Sequence, residues 1–213
     1  LDAFDSIFKE QGASFDYIFH TASPVNFTIT DFQKDMIDPA VNGTKSIFEA
    51  TVKYAPNVKK FVITSSYSAV ASPSADYIKS NTLNEKTWND QPLEEAVKDP
   101  VASYYYSKTA AEKAVWELHK FLNAKFKVTS INPTFVFGPQ QFDSSVTKKL
   151  NISCEFINGI VHSQLDDPVS NDIKGAFVDV RDVAKAQLAA IADDKLAGHR
   201  LILSAGRFSL QSI

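Results

Sequence analysis

Tyr104 and Lys108 stand four positions apart in the segment Tyr104-Tyr105-Tyr106-Ser107-Lys108, which opens a long helical pattern. Four positions are about one helical turn, so a phenol and an ammonium share one face. A lysine so placed stabilises a phenolate and makes the tyrosine a better proton donor or acceptor near neutral pH. Its three N–H donors also suit the hydroxyls of a ribose. A lone Tyr-x-x-x-Lys is usually an ordinary surface pair, so the surrounding elements decide the reading.

Those elements alternate. Residues 2–11 predict the end of an amphipathic helix with Phe4, Ile7 and Phe8 on one face and Gly12 as its cap. Tyr17–His20 reads as a buried strand, closed by the small residues Thr21-Ala22-Ser23-Pro24. A helix follows from about Asp31 to Tyr54, with Pro39 as a kink or restart and an apolar stripe of Ala40, Ile47, Phe48 and Val52. Phe61–Ser66 is a second strand ending in hydroxyls, and residues 67–100 form a long polar insertion with Pro73, Pro92 and Pro100. The helix of Tyr104 and Lys108 spans about 101–123. Val128–Pro133 is a third strand, Phe135–Pro139 a loop, and 145–161 a helix. Ala176–Val180 is a short strand, Asp182 caps a helix to about Ala192, Arg200–Ser204 is a last strand, and Phe208 opens another helix. Strands alternating with helices predict an α/β fold with a parallel sheet covered on both faces. Ligands of such sheets sit beyond the carboxyl ends of the strands. The polar clusters Thr21–Ser23, Thr64–Ser66 and Asn132–Thr134 fall there.

The 213 residues suffice for one large domain, or one domain and a small appendage. A hydrophobic share of 44% and a charged share of 22% are ordinary for a soluble globular chain. A net charge of −3 gives no reason to expect nucleic-acid or anionic-membrane partners. No apolar run approaches the roughly 20 residues of a membrane span, and the start lacks the basic and apolar regions of a signal peptide. The single cysteine, Cys154, excludes an internal disulfide and suits a reducing, cytoplasmic setting. His20, His119, His162 and His199 are scattered, so no metal site is assigned.

The strand ending in Thr64-Ser65-Ser66 and the helix with Tyr104-x-x-x-Lys108 resemble the short-chain dehydrogenase/reductase superfamily. His20-Thr21-Ala22-Ser23-Pro24, Val41-Asn42-Gly43-Thr44, the block Asn132 to Pro139, and Phe177-Val178-Asp179-Val180-Arg181-Asp182-Val183-Ala184 narrow the resemblance to the extended branch. Their wording looks most like the fungal NADPH-dependent aldehyde and ketone reductases, relatives of the plant dihydroflavonol reductases. The resemblance spans essentially the whole chain. It implies a Rossmann-like doubly wound sheet with a small C-terminal substrate lobe, divided as residues 1–140 and 141–213, with about 176–204 returning to the first part. It implies NADPH as cofactor and a small aldehyde or ketone as substrate, for a monomer or homodimer. In this reading Tyr104 is the general acid, Lys108 lowers its pKa and holds the nicotinamide ribose, and Ser66 hydrogen-bonds the carbonyl oxygen. Asn42 supports a proton-relay water. Thr21, Ala22, Ser23, Thr64, Pro133, Val136 and Ser153 line the cofactor, while Val25, Tyr67, Val101 and Phe135 face the substrate. The residues alone leave alternatives: Ser65 and Ser66 can simply end a strand, Asn42 can cap the restarted helix, and Tyr67 and Phe135 can be core aromatics. Tyr105 and Tyr106 read as packing residues.

One part of the pattern is absent. No two of the seven glycines lie within five positions of each other, so no Gly-x-Gly-x-x-Gly phosphate loop occurs. The expectation is a partial sequence, lacking roughly 60 residues of the first β-α-β unit and the C-terminal end of the lobe. Two other functions fit the same motifs. A nucleotide-sugar epimerase or dehydratase shares Tyr-x-x-x-Lys but needs polar anchors for a diphosphate. A non-catalytic nucleotide-binding or scaffold module would not need intact Ser66, Tyr104 and Lys108.

Overall fold

The apolar runs between the polar clusters become four parallel strands: β1 (Tyr17–His20), β2 (Lys60–Thr64), β3 (Lys127–Pro133) and β6 (Arg200–Leu203). They pair in the order β1-β2-β3-β6. The computed structural model describes residues 2–74, 82–147, 150–164 and 174–212. The pairing register sets His20 beside Ile63, Thr64 beside Ile131 and Pro133 beside Leu203. The carboxyl ends of the strands therefore form one edge.

Side chains alternate across the sheet, and helices cover both faces of its inner strands. Strand β1, expected to be buried, is buried on one face only, with Tyr17 and Phe19 40% and 39% exposed at the sheet's edge. On one face Phe61, Ile63 and Val128 pack against Phe8 of α1 (Asp5–Gln11), Phe48 of α2 (Asp38–Tyr54) and Val115. Val115 belongs to the 22-residue helix α4 (Pro100–Phe121), preceded by the short α3 (Leu93–Ala96). Phe48 and Phe61 are 0% exposed, with ring centroids 5.2 Å apart in an edge-on contact. Burying each contributes about 2–3 kcal/mol. On the other face Val62 and Ile131 pack against Val183 and Ala190 of α6 (Val180–Ala192). This is the doubly wound α/β arrangement that the alternating pattern implies.

The helix starts follow from their caps. Asp99 accepts a hydrogen bond from the Ala102 N–H at 2.8 Å, and Pro100 occupies the first turn, where its missing N–H costs nothing. Pro39 does the same for α2, after a π-helical turn at Gln33–Ile37, so it starts the helix rather than kinking it.

A second sheet departs from the sequence reading in two places. Phe135–Phe137, expected in a loop, is strand β4, parallel to β5 (Lys174–Asp179). The region at Phe208, expected to open a helix, is strand β7 (Gly206–Ser209), antiparallel to β5. Both owe their form to pairing with β5 and to a cluster of aromatic rings. Phe208 lies 5.2 Å from Phe137 and 6.1 Å from Phe156, on α5 (Ile152–Val161). This helix starts at an Asn151 cap, later than the expected 145, and residues 148–149 lie outside the described set. Asp179, not Asp182, caps α6, accepting from the Arg181 N–H at 2.8 Å, because the helix begins at Val180. Among the described residues no helix is long and apolar enough to cross a membrane, and no cluster of three or more His, Cys, Asp or Glu could hold a metal ion.

Candidate active site

The fold brings the ends of β1 and β2 against one face of α4. Tyr104 and Lys108 stand on that face, with the Lys108 ammonium 5.9 Å from the Tyr104 ring centroid. Lys108 is 8% exposed. Burial pushes it down to about 8, opposed by the Glu112 carboxylate one turn further along α4. Burial pushes the Tyr104 phenol up, and the neighbouring Ser66 hydroxyl opposes that. With its pKa above the ordinary phenol value, Tyr104 is protonated at neutral pH.

Ser66 is buried where β2 gives way to a 3-10 turn at Tyr67–Ala69. Its Oγ accepts from the Ser68 N–H and donates to Ser68 Oγ, both at 3.1 Å. That hydroxyl can turn its proton toward a ligand at modest cost, since Ser68 is replaced by another acceptor. At the end of β1, the imidazole Nε2 of the buried His20 lies 2.9 Å from Thr44 Oγ1 on α2. Burial first, and the charge of Lys108 second, bring His20 down to about 4, so it is neutral at physiological pH. Phe27, in the segment after β1, meets Tyr104 edge-on at 5.9 Å.

Residues 1–205 match the NAD dependent epimerase/dehydratase family. The chain belongs to that family. It is 45% identical, over 100% of its length, to the NADPH-dependent methylglyoxal reductase Gre2 of Saccharomyces cerevisiae, of which it covers 63%. The crystal structure of yeast methylglyoxal/isovaleraldehyde reductase Gre2 complexed with NADPH matches 99% of this chain and 62% of that one, at 43% identity and a TM-score of 0.91. Gre2 from Candida albicans in complex with NADPH matches 99% of this chain and 62% of that one, at 41% identity and a TM-score of 0.92. The chain thus spans about three fifths of the length of the curated relatives it matches, 63% of the first and 62% of the second.

Within this epimerase/dehydratase fold the sequence-derived site residues divide into groups. Thr21 and Ala22 are exposed and Ser23 partly buried just beyond β1, Thr64 closes β2, and Pro133 is buried at the end of β3, all along the carboxyl edge. The Thr64 hydroxyl already accepts a hydrogen bond from Gln187 Nε2 of α6 at 2.7 Å. Val136 on β4 packs against the Val62 and Ile131 core, and Ser153 is partly buried in the first turn of α5. Val101 stands one turn before Tyr104 on α4 and is 45% exposed, as is Val25 at 44%. Tyr67 lies in the 3-10 turn directly after Ser66. Phe135 belongs to the aromatic cluster, 5.3 Å from Phe137 and 5.9 Å from Phe208, yet remains 44% exposed. Asn42 is exposed on α2, whereas Thr44 turns inward to His20.

The sequence reading passes over Phe27, Thr44, Glu112 and Arg200. Glu112 carries a findable signal, for it lies four residues beyond Lys108 on the same helical face, where a solvated carboxylate is not expected.

Proposed function

We propose that the protein is an NADPH-dependent carbonyl reductase acting on small aldehydes or ketones. The observation that carries this reading is the largely buried Lys108 on the same helix face as a protonated Tyr104, beside the Ser66 hydroxyl. A buried ammonium is costly unless something pairs with it. The vicinal hydroxyls of a ribose fit that need, and Lys108 with the Thr21–Ser23 and Thr64–Pro133 edge would hold the cofactor. When bound, NADPH supplies the hydride. The likeness to reductases solved with NADPH supports the choice of cofactor.

The chain's own groups manage the charge. As the substrate carbon accepts hydride, negative charge gathers on its oxygen, and Ser66 and Tyr104 are two preplaced donors for it. Tyr104 then releases its proton to that oxygen. Burial keeps the phenol protonated until the substrate needs the proton. Val25, Phe27, Val101 and Phe135 present apolar surface, which suits a small apolar carbonyl better than a sugar diphosphate. A reducing, cytoplasmic setting and a monomer or homodimer belong to the same proposal, as does the division into a cofactor part and a substrate lobe.

The test uses the full-length protein, following NADPH absorbance with a panel of aldehydes and ketones. Wild type should turn over, and Tyr104→Phe should lower kcat about 10²-fold or more with NADPH affinity little changed. A variant with near wild-type turnover would remove Tyr104 from the mechanism, and no turnover by wild type would sink the reading.

A further inference from the structure

Behind the Ser66 turn lies an ion pair that the reaction itself does not use. Glu112 of α4 is 0% exposed and Arg200 of β6 is 7% exposed. Arg200 Nε donates to Glu112 Oε1 at 2.6 Å, and Nη2 donates to Oε2 at 3.3 Å. The carboxylate also accepts from Ser65 Oγ at 2.6 Å, Asn132 Nδ2 at 2.8 Å and Trp116 Nε1 at 3.3 Å. Every acceptor position of the buried carboxylate is thereby used, as its burial demands.

The pair grips the catalytic turn at both ends. At its start, Ser65 is bonded to Glu112 directly, and Asn132 Nδ2 donates at 3.0 Å to the Ser66 carbonyl while bonded to the same carboxylate oxygen. At its end, Arg200 Nη2 donates to the Ala69 carbonyl at 3.1 Å. The guanidinium is held in turn by the carbonyls of Glu85 and Thr87 and by the Trp88 ring, whose centroid lies 3.6 Å from Cζ. Glu112 rides on the helix that carries Tyr104 and Lys108. One ion pair therefore ties that helix to the turn that carries Ser66.

We propose that the Glu112–Arg200 pair, acting through Asn132, is a positioning clamp that sets the distance between the Ser66 hydroxyl and the Tyr104 phenol. The inference rests on the reductase reading. Two donors stabilise one developing oxyanion only when both are in place, and a misplacement of about 1 Å costs on the order of 10²-fold. A plain structural pair would affect folding but not the turnover of the molecules that do fold.

The experiment uses the full-length enzyme with NADPH and a carbonyl substrate, comparing wild type, Glu112→Gln, Arg200→Lys and the double variant Glu112→Gln/Arg200→Met. The single variants leave a buried group mispaired, and Glu112→Gln strands a charge. The double removes both charges and should recover part of the Tm lost in Glu112→Gln. Turnover is counted per NADPH-binding site, so unfolded protein does not enter. At about pH 6, below the range where Lys108 loses its charge, we expect kcat to fall about tenfold or more in all three variants, with KM and the Kd for NADPH within about threefold. Low kcat that persists in the double variant after Tm recovers supports the clamp. A double variant with kcat per site within about twofold of wild type would overturn it, leaving the reductase reading intact. Absence of turnover in wild type would overturn the reductase reading and the clamp with it.

Discussion

Mild acid should weaken the fold through His20, ahead of the carboxylates that anchor its surface. His20 is 6% exposed at the end of β1, and its folded-state pKa is brought from 6.5 to about 4, mainly by burial and then by the Lys108 charge. The unfolded chain takes up a proton below its pKa of 6.5, whereas the folded chain refuses it until about 4. The corresponding stability is therefore complete above pH 6.5 and is lost as the pH falls from there toward 4. At about pH 4.5 the loss amounts to about 2.5 kcal/mol, from 1.36 kcal/mol per unit of pKa difference. That is a substantial share of the roughly 5–15 kcal/mol of a typical domain. The measurement is urea unfolding of the full-length protein at about pH 7.5 and 4.5, for wild type and for His20→Gln, whose amide can still reach Thr44. Carboxylates that titrate in the same window are common to both proteins and cancel in the difference. Asp194, held down to about 2 by hydrogen bonds from Lys127 and Lys60, responds mostly below it. Wild type should lose about 2.5 kcal/mol more than the variant over this interval. Equal losses would mean that His20 is protonated in the folded state and that its environment has been misjudged.

Three further outcomes follow from the same geometry. The kcat/KM for NADPH, which reports the free enzyme, should fall above pH about 8 as Lys108 loses its charge, and Glu112→Gln should move that fall to lower pH; a profile flat to about pH 10 would show that Lys108 keeps its proton. Phe27→Ala removes the ring that meets Tyr104 edge-on and should raise kcat/KM for bulky ketones relative to small aldehydes by about tenfold; an equal change across a size series would mean that Phe27 only packs. Gly138 has φ +142°, and a β-carbon there would stand 2.5 Å from Val180 Cγ1, so Gly138→Ala should lower stability, by about 1–3 kcal/mol; an unchanged urea midpoint would show that the junction of β4 and α6 yields freely.

The candidate groups Tyr104 and Lys108 are legible in the sequence because their relation is local. Tyr104 and Lys108 share a face by helical geometry alone, and the helix is marked by Asp99 and Pro100 at its start. The strands of the first sheet are legible for a similar reason. Buried on both faces, β2 and β3 read as apolar runs such as Phe61-Val62-Ile63, and the polar residues where the runs stop fall along the carboxyl edge. Whatever depends on distant pairing is not legible. Strand β4 is three residues long and becomes a strand only beside Phe177–Asp179. Helical phase is a subtler case. Asn42 and Thr44 differ by two positions, or about 200° around α2, and the burial of Ala40, Thr44 and Phe48 decides which of them turns inward. The ion pair of Glu112 and Arg200 is the extreme: two charged residues 88 positions apart, each ordinary for a surface, meet in the interior. Chemistry carried by one helix can thus be read from spacing. The partners that fix its position come from β3, β6 and the stretch around Trp88, and only the fold makes them neighbours of Ser66.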